Sequence, residues 1–216
     1  GSIKGINLDN FEAHITNEAV IESPNNIITN LAPTRFKPDV KENSRSNKLL
    51  FLLGGNGAGY LYEKSDWINL INNIKDFAET TNISPIIVTS RRTNKIHESL
   101  IFDEINTISD AASVWFHKTG ENADLNLIFK MVDAVYVSED SSTMTTEAIS
   151  SGLPAFTLYP KSCNPSEKFN QQLKKYEAMK LIKRMSFSSE LSTISTSNTS
   201  YNLVLELREK LKKQIL

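Results

Sequence analysis

The sequence has a single cysteine, Cys163, among its 216 residues. One cysteine excludes an internal disulfide framework and favours a reducing compartment. Three scattered histidines show, together with Cys163, no spacing typical of zinc ligands, so we expect no metal site. No apolar stretch approaches the roughly 20 residues that a membrane-spanning helix requires. We therefore expect no transmembrane segment.

The chain also lacks an excess of charge. Lysine and arginine total 24, aspartate and glutamate 25, and the formal net charge is −1. A nearly neutral chain lacks the basic footprint of nucleic-acid-binding proteins, so no nucleic-acid partner is expected. The densest basic stretch, KKYEAMKLIKR (174–184), has apolar residues at helical spacing and indicates the solvated face of an amphipathic helix.

Glycine is scarce but concentrated. Four of the eight glycines lie between Gly54 and Gly59, directly after the apolar run KLLFLL; we call this segment the glycine loop. It indicates either a tight turn or a backbone whose N–H groups hold an anion such as a phosphate. The loop is not a P-loop, because no Gly-Lys-Ser/Thr follows, and its GGxGxG spacing departs from the dinucleotide fingerprint GxGxxG.

Short apolar runs alternate with amphipathic segments from Lys48 onward. The runs KLLFLLGG, SPIIVTS, ASVWFH, DAVYVSED and LPAFTLYP predict strands. The segments between them predict helices, the first capped by Ser65 or Asp66, and a further helix is expected over 167–183. This alternation predicts an α/β fold with a Rossmann-like parallel sheet and helices on both faces.

The pattern divides the chain into three parts. Residues 1–45 contain two short strand-like segments, EAHIT and NNIITNLAP, and a polar, proline-bearing linker. Residues 46–185 carry the strand–helix alternation, and 186–216 form a polar connector and a terminal helix.

Three polar segments fall at strand ends, where open parallel sheets bind their ligands. They are the glycine loop, TSRRTN (89–94) and SEDSSTMTTEA (138–148). Adjacent Arg91 and Arg92 could contact a diphosphate in a bidentate manner, although for an isolated Arg-Arg pair surface salt bridges are the preferred interpretation.

The third segment begins a predicted helix with several hydroxyl groups. Ser141, Ser142 and Thr143 suit phosphate oxygens, and Glu147, one or two turns later, suits a ribose diol. The alternative is that a serine caps the helix while Glu147 complements its dipole. The candidate nucleotide-binding residues of the three segments are Gly55, Asn56, Gly57, Ser90, Arg91, Arg92, Ser141, Ser142, Thr143 and Glu147, and no catalytic residue is assigned.

Four segments carry a resemblance to a known family: LLGG, VTSRRT, VYVSEDSSTMTTEAISSGLPAF and EKFNQQLKKYEAMKLIKR. Over roughly residues 20–185 the chain is similar to the elongated-mitochondria family of mitochondrial fission proteins and its bacterial relatives. Those relatives are often labelled nucleoside-diphosphate-sugar epimerase-like. The resemblance implies a two-domain GT-B glycosyltransferase architecture, of which this chain is mainly the carboxyl-terminal half. Residues 1–45 would then be a remnant of the amino-terminal domain and the interdomain hinge.

At longer range the chain resembles the bacterial transferase that adds N-acetylglucosamine during peptidoglycan synthesis. This resemblance implies that residues 54–58 meet the donor diphosphate, that Arg35 assists from the hinge and that Glu147 holds the ribose. The chain departs from that pattern, because Asn56 replaces a serine and GENAD replaces the usual Asn-Pro-Tyr.

The implied function is binding of a nucleotide-sugar, with metal-independent glycosyl transfer in the full-length protein. The nucleotide-sugar is a substrate, so no cofactor is expected; the partners are the missing amino-terminal domain and an unidentified acceptor, and this chain alone should be inactive. Two alternatives are a non-catalytic scaffold of the mitochondrial-fission type and a nucleoside-diphosphate-sugar epimerase. The implied location is the bacterial cytoplasm or, alternatively, the cytosolic face of an organelle.

The terminal helix completes the expectations. Leu203, Leu207 and Leu211 form an apolar stripe that needs a partner. Because terminal helices of GT-B proteins commonly cross back to the first domain, we predict that 200–216 pack on residues 1–40 or on a second molecule.

Overall fold

A computed structural model of the chain describes residues 10–17, 23–36, 46–108, 111–120, 123–191 and 200–215. Its strands are β1 (His14–Thr16), β2 (Asn26–Ile28), β3 (Lys48–Leu53), β4 (Tyr60–Leu61), β5 (Ser84–Thr89), β6 (Ala112–Val114), β7 (Ala134–Ser138), β8 (Ala155–Tyr159), β9 (Ser162–Cys163) and β10 (Lys183–Ser186). Its helices are α1 (Lys64–Thr81), α2 (Lys95–Ile105), α3 (Phe116–Thr119), α4 (Leu125–Met131), α5 (Ser142–Ser150), α6 (Glu167–Ala178) and α7 (Ser200–Ile215).

A parallel sheet organises the molecule. Its six strands lie in the order β10-β8-β7-β3-β5-β6, and every neighbouring pair is parallel. The expected Rossmann-like α/β fold is confirmed. The central strand β3 is buried from Leu49 to Leu53, as a strand with neighbours on both edges and helices on both faces requires.

The side chains of β3 alternate between two apolar cores. Leu49, Phe51 and Leu53 belong to one core, which also contains the buried residues of α1 and α2. Leu50 and Leu52 belong to the other, with residues of α5 and α6 and the preceding segment 31–36. The two-residue period of a strand thus supplies both layers from one hydrophobic run.

The strand order reverses direction beside β3. The chain passes from β3 to β5 and β6 on one side, then returns to place β7 on the other side of β3. In open α/β sheets the crevice at such a reversal, outside the carboxyl ends of the strands, is where ligands bind. The reversal between β3 and β7 lies where the glycine loop and the segment 139–141 follow their strands.

Two predicted elements are present but end earlier than expected. The strand expected over ASVWFH ends at Val114, and α3 begins at Phe116, because the buried Glu98 carboxylate accepts the N–H groups of His117 and Lys118 and so favours a helical turn. The helix expected over 167–183 ends at Ala178, and Lys180 then adopts a φ of 57°. The chain turns there and adds β10 to the sheet edge beside β8.

The predicted cap of α1 is wrong. Glu63, rather than Ser65 or Asp66, is the N-cap residue. Asp66 is the third helical residue, and its Oδ2 accepts the Glu63 N–H at 2.9 Å. Asp66 therefore serves the reciprocal half of a capping box.

The terminal helix α7 packs where predicted. It contacts β2 and α5, and Lys210 Nζ donates to the Ile28 carbonyl at 3.2 Å. Leu203, Leu207 and Leu211 line an apolar cavity of about 420 Å³, shared with residues 31–34 and Phe36. The prediction that this helix packs on residues 1–40 is confirmed. Within the described ranges, no helix combines the length and apolar character needed to cross a membrane.

Candidate functional site

The glycine loop is packed tightly against its own chain. A Cβ atom at Gly54 would overlap the Asp140 carboxylate, and one at Gly55 would overlap the Arg92 carbonyl oxygen. Gly59 has a φ of 87° and lies against the Asn164 carbonyl. Glycine is therefore required at these three positions by contacts within the protein.

A buried carboxylate occupies the concave side of the loop. Asp140 is 1% exposed, and its Oδ1 accepts the Ser138 hydroxyl at 2.7 Å and the Tyr62 hydroxyl at 3.3 Å. Ser138 Oγ in turn accepts the Gly54 N–H at 2.7 Å. Burial raises the pKa of Asp140, while hydrogen bonds from Ser138, the Gly55 backbone and Arg92 act in the opposite direction.

Arg92 completes this arrangement, which we call the Asp140 cluster: Gly54, Gly55, Arg92, Ser138 and Asp140. Arg92 Nη1 donates to the Asp140 carbonyl at 2.7 Å and lies 3.3 Å from Asp140 Oδ2. The carboxylate thus has an ionic partner as well as neutral donors, as a buried charge requires.

A second buried carboxylate lies one residue earlier. Glu139 is fully buried and accepts hydrogen bonds from Nε and Nη2 of Arg184 at 2.7 and 2.8 Å. It also accepts the Thr157 and Tyr60 hydroxyls at 2.7 and 2.9 Å. Burial, reinforced by Glu139, raises the pKa of Tyr60. This network fixes the end of β7 to β8, β10 and β4.

An open cavity of about 490 Å³ lies at the carboxyl ends of β3 and β5. We call it the strand-end cavity, and its lining consists of Arg35, Leu52, Val88, Thr89, Ser90, Arg91, Phe116, Ala123, Leu125 and Met144. Six of these ten lining residues are apolar, and two of the four polar ones are arginines. Such a combination of concave apolar surface and a few convergent polar groups is typical of small-molecule sites.

Arg35 and Glu147 interact across this region. The positive charge of Arg35 lowers the pKa of Glu147, although burial of the carboxyl is larger and gives a net rise. Arg35 also lies over the ring of Phe36, with Cζ 5.1 Å from its centroid. The buried Phe36 packs against Phe129 of α4 and anchors the segment that carries Arg35.

The hydroxyl groups at the start of α5 have different environments. Ser141 Oγ caps the helix by accepting the Met144 N–H at 3.3 Å. The Thr145 and Thr146 hydroxyls donate to carbonyls one turn earlier. Ser142 and Thr143 are exposed. Capping and back-bonding thus account for three hydroxyls of the run, and two face outward.

The predicted site residues fall into two neighbouring groups. Arg35, Ser90 and Arg91 line the strand-end cavity, with Glu147 near Arg35 and with Ser142 and Thr143 in the first turn of α5. Gly55 and Arg92 belong to the Asp140 cluster. Asn56 Oδ1 accepts the Tyr62 N–H at 2.8 Å, and the Gly57 N–H donates to the Tyr60 carbonyl at 3.1 Å.

Sequence reasoning did not identify Asp140, Glu139 or Arg184. The acidic pair lies inside the quoted segment SEDSSTMTTEA, directly after a strand predicted to be buried. Two carboxylates at the end of a buried strand need internal partners, so the position carried a usable signal. Arg184 had none, because it ends the basic stretch 174–184, which was interpreted as the solvated face of a helix.

The family model for mitochondrial fission ELM1 matches residues 8–209. No curated protein matches the chain. Within the part of the chain that the structure describes, no group of three or more His, Cys, Asp or Glu residues is placed to hold a metal ion.

Three solved structures show remote similarity. An O-GlcNAc transferase mutant of Thermobaculum terrenum is 13% identical, with a TM-score of 0.41, covering 88% of this chain and 36% of that one. The ADP-heptose lps heptosyltransferase II of E. coli is 14% identical, with a TM-score of 0.40, covering 84% of this chain and 48% of that one. MurG of Acinetobacter baumannii is 12% identical, with a TM-score of 0.39, covering 78% of this chain and 42% of that one. The present chain thus spans less than half the length of each.

Proposed function

We propose that this chain, which belongs to the mitochondrial fission ELM1 family, binds a nucleoside-diphosphate sugar in the strand-end cavity. The observation that carries the proposal is the placement of Arg35 and Arg91 around one cavity of about 490 Å³ at the carboxyl ends of β3 and β5. A cavity of this size accommodates a small ligand, and its two guanidinium groups complement a diphosphate.

The residues around the cavity suggest how the ligand is held. Arg91 is exposed, and in this proposal it contacts the diphosphate together with Arg35. The exposed Ser142 and Thr143 hydroxyls at the start of α5 donate further hydrogen bonds to it. The positive end of the α5 dipole also favours a negatively charged ligand there. Glu147 accepts a hydrogen bond from the ribose diol.

The glycine loop has a different role in this proposal. The N–H groups of Gly54, Gly55 and Gly57 already have partners within the chain, and Arg92 is engaged by Asp140. We therefore assign the diphosphate to Arg35, Arg91 and α5 rather than to the loop.

In the full-length protein, we infer that this half supplies the donor site of a GT-B-type transferase. Residues 1–45 would be the remnant of an amino-terminal domain that carries the acceptor site. Catalysis would rest on positioning and on stabilisation of the departing diphosphate by arginines and the helix dipole. An epimerase would use the same donor site, and product analysis of the full-length protein distinguishes the two reactions.

A ligand screen tests the proposal. Melting temperatures are measured with UDP, GDP, CDP, ADP and their sugars, and each stabilising ligand is confirmed by calorimetry. A ligand at ~100 times its dissociation constant adds about 2.7 kcal/mol to the free energy of unfolding. Absence of binding by every nucleotide in both assays would contradict the proposal.

The second candidate is a non-catalytic scaffold that retains the fold. The observation favouring it is the glycine loop, whose concave side is filled by Asp140. A scaffold predicts that nucleotides do not bind and that Arg91→Gln leaves partner binding of the full-length protein unchanged.

A further inference from the structure

The glycine loop, the end of β7 and Tyr62 supply donors that converge on one carboxylate. Asp140 accepts from the hydroxyls of Ser138 and Tyr62 and from the Gly55 backbone. The Gly54 N–H reaches the same cluster through Ser138 Oγ. Backbone N–H groups that point into a concavity after a strand are a general anion-binding arrangement.

The fit around this carboxylate is close. A Cβ atom at Gly54 would overlap both carboxylate oxygens of Asp140, so the glycine backbone and the carboxylate occupy adjoining space with no room between them. Asp140 is 1% exposed. The concavity is therefore already filled by an anion that belongs to the chain.

Arg92 supplies the balancing charge. Its Nη1 lies within hydrogen-bond distance of the Asp140 carbonyl and 3.3 Å from Oδ2. Gly57 lies next to this guanidinium: a Cβ atom at Gly57 would be 3.7 Å from Arg92 Nη1. Arg91, the adjacent residue, lines the strand-end cavity instead.

We propose that the Asp140 carboxylate is the internal ligand of the glycine loop, held in the loop's anion site with Arg92 as its counter-ion. A phosphate or an external carboxylate is excluded from that site while Asp140 is in place. The site accepts a small carboxylate once the Asp140 side chain is removed. This assignment is independent of whether nucleotides bind to the strand-end cavity.

Chemical rescue with formate tests the assignment. In Asp140→Ala the donors and Arg92 lose their anion, and the melting temperature should fall by on the order of 10 °C. Formate should then raise the melting temperature of Asp140→Ala in a saturable manner, by several degrees more than it raises that of the wild type. Sodium chloride at equal ionic strength should produce no such rise.

Asp140→Asn is the matched control, because asparagine fills the site without a charge. Formate should stabilise it no more than it stabilises the wild type. Equal stabilisation of Asp140→Ala, Asp140→Asn and wild type would overturn the proposal. If Asp140→Ala does not fold, the smaller change Asp140→Ser replaces it, with the same expected and contradictory results.

The role of Arg92 has its own readout. Losses in melting temperature for Asp140→Asn and Arg92→Gln should combine to clearly less than their sum in the double variant, since each removes the same ion pair. The matched pair Asp140→Asn and Arg91→Gln should be additive. Additive losses with Arg92→Gln would contradict its assignment as the counter-ion.

Discussion

Two adjoining regions at the carboxyl edge of the sheet differ in how their polar groups are satisfied. The Asp140 cluster pairs its backbone N–H groups, hydroxyls and guanidinium with one buried carboxylate. The strand-end cavity instead presents Arg35 and Arg91 to an open space. The Asp140 cluster already contains its anion. We therefore expect an external anion to bind in the strand-end cavity. Arg91 and Arg92, adjacent in sequence, therefore serve different regions.

The largest expected effect distinguishes two carboxylates of the same segment. Glu139→Ala leaves Arg184, Tyr60 and Thr157 without their buried acceptor and should lower the free energy of unfolding by about 3–5 kcal/mol. Glu147→Gln, at a half-buried position beside the cavity, should change it by less than about 0.5 kcal/mol. Urea denaturation measures both. Equal losses would contradict the assignment of a structural role to Glu139 and not to Glu147.

The next effect tests the tight packing of the glycine loop. Gly55→Ala places a Cβ atom against the Arg92 backbone carbonyl, and such overpacking should destabilise the protein by about 1–3 kcal/mol. Gly57→Ala is the matched control: its Cβ atom would lie 3.7 Å from Arg92 Nη1, its nearest neighbour beyond the adjacent residues of the chain. It should be neutral or stabilise slightly. Thermal unfolding compares the two variants, and a neutral Gly55→Ala would contradict this packing.

The adjacent arginines provide the sharpest test of the comparison. Arg91→Gln should weaken binding of a nucleoside diphosphate by about 1.5–3 kcal/mol, or roughly 10- to 150-fold, with little change for the bare nucleoside. Arg92→Gln should chiefly lower the melting temperature, because it unpairs Asp140. Calorimetric titration and thermal unfolding of both variants separate the two roles. The reverse pattern would assign the diphosphate to the glycine loop.

The smallest effect is a pH dependence. Burial raises the pKa of Glu147 in the folded protein, with Arg35 opposing the rise. A raised pKa means that stability from this group is fully present below its ordinary value of about 4.3 and is lost as pH rises through the folded-state pKa. The melting temperature of the wild type should therefore fall relative to Glu147→Gln across that window. A melting temperature of the wild type that rises relative to that of Glu147→Gln as the pH increases would contradict this prediction.

Local sequence patterns predicted much of the sheet but not its edge. β3 and β5 were predicted because each carries a short apolar run, and α2 lies in a segment between two predicted strands, as expected. β10 was missed because its residues, KRMS, show no apolar run. Pairing with β8 and the bidentate contact of Arg184 with Glu139, 45 residues away, stabilise it as a strand.

The same limit applies to the candidate site. The sequence brought Arg35, Arg91 and Glu147 into consideration, and the structure places Arg35 near both. The pattern of glycines suggested a phosphate, whereas the Gly54 N–H donates to Ser138 Oγ, 84 residues along the chain, and Gly54 packs against the Asp140 carboxylate. Such a non-local contact leaves no local sequence signal.

An NMR titration of the ¹⁵N-labelled chain with UDP tests the central claim most directly. If the strand-end cavity holds the diphosphate and the glycine loop holds Asp140, the amide signals of Ser90, Arg91 and Met144 should shift in proportion to bound ligand. Those of Gly54 and Gly55 should stay in place. Saturable shifts centred on Gly54 and Gly55, with Ser90 and Arg91 unaffected, would contradict the account.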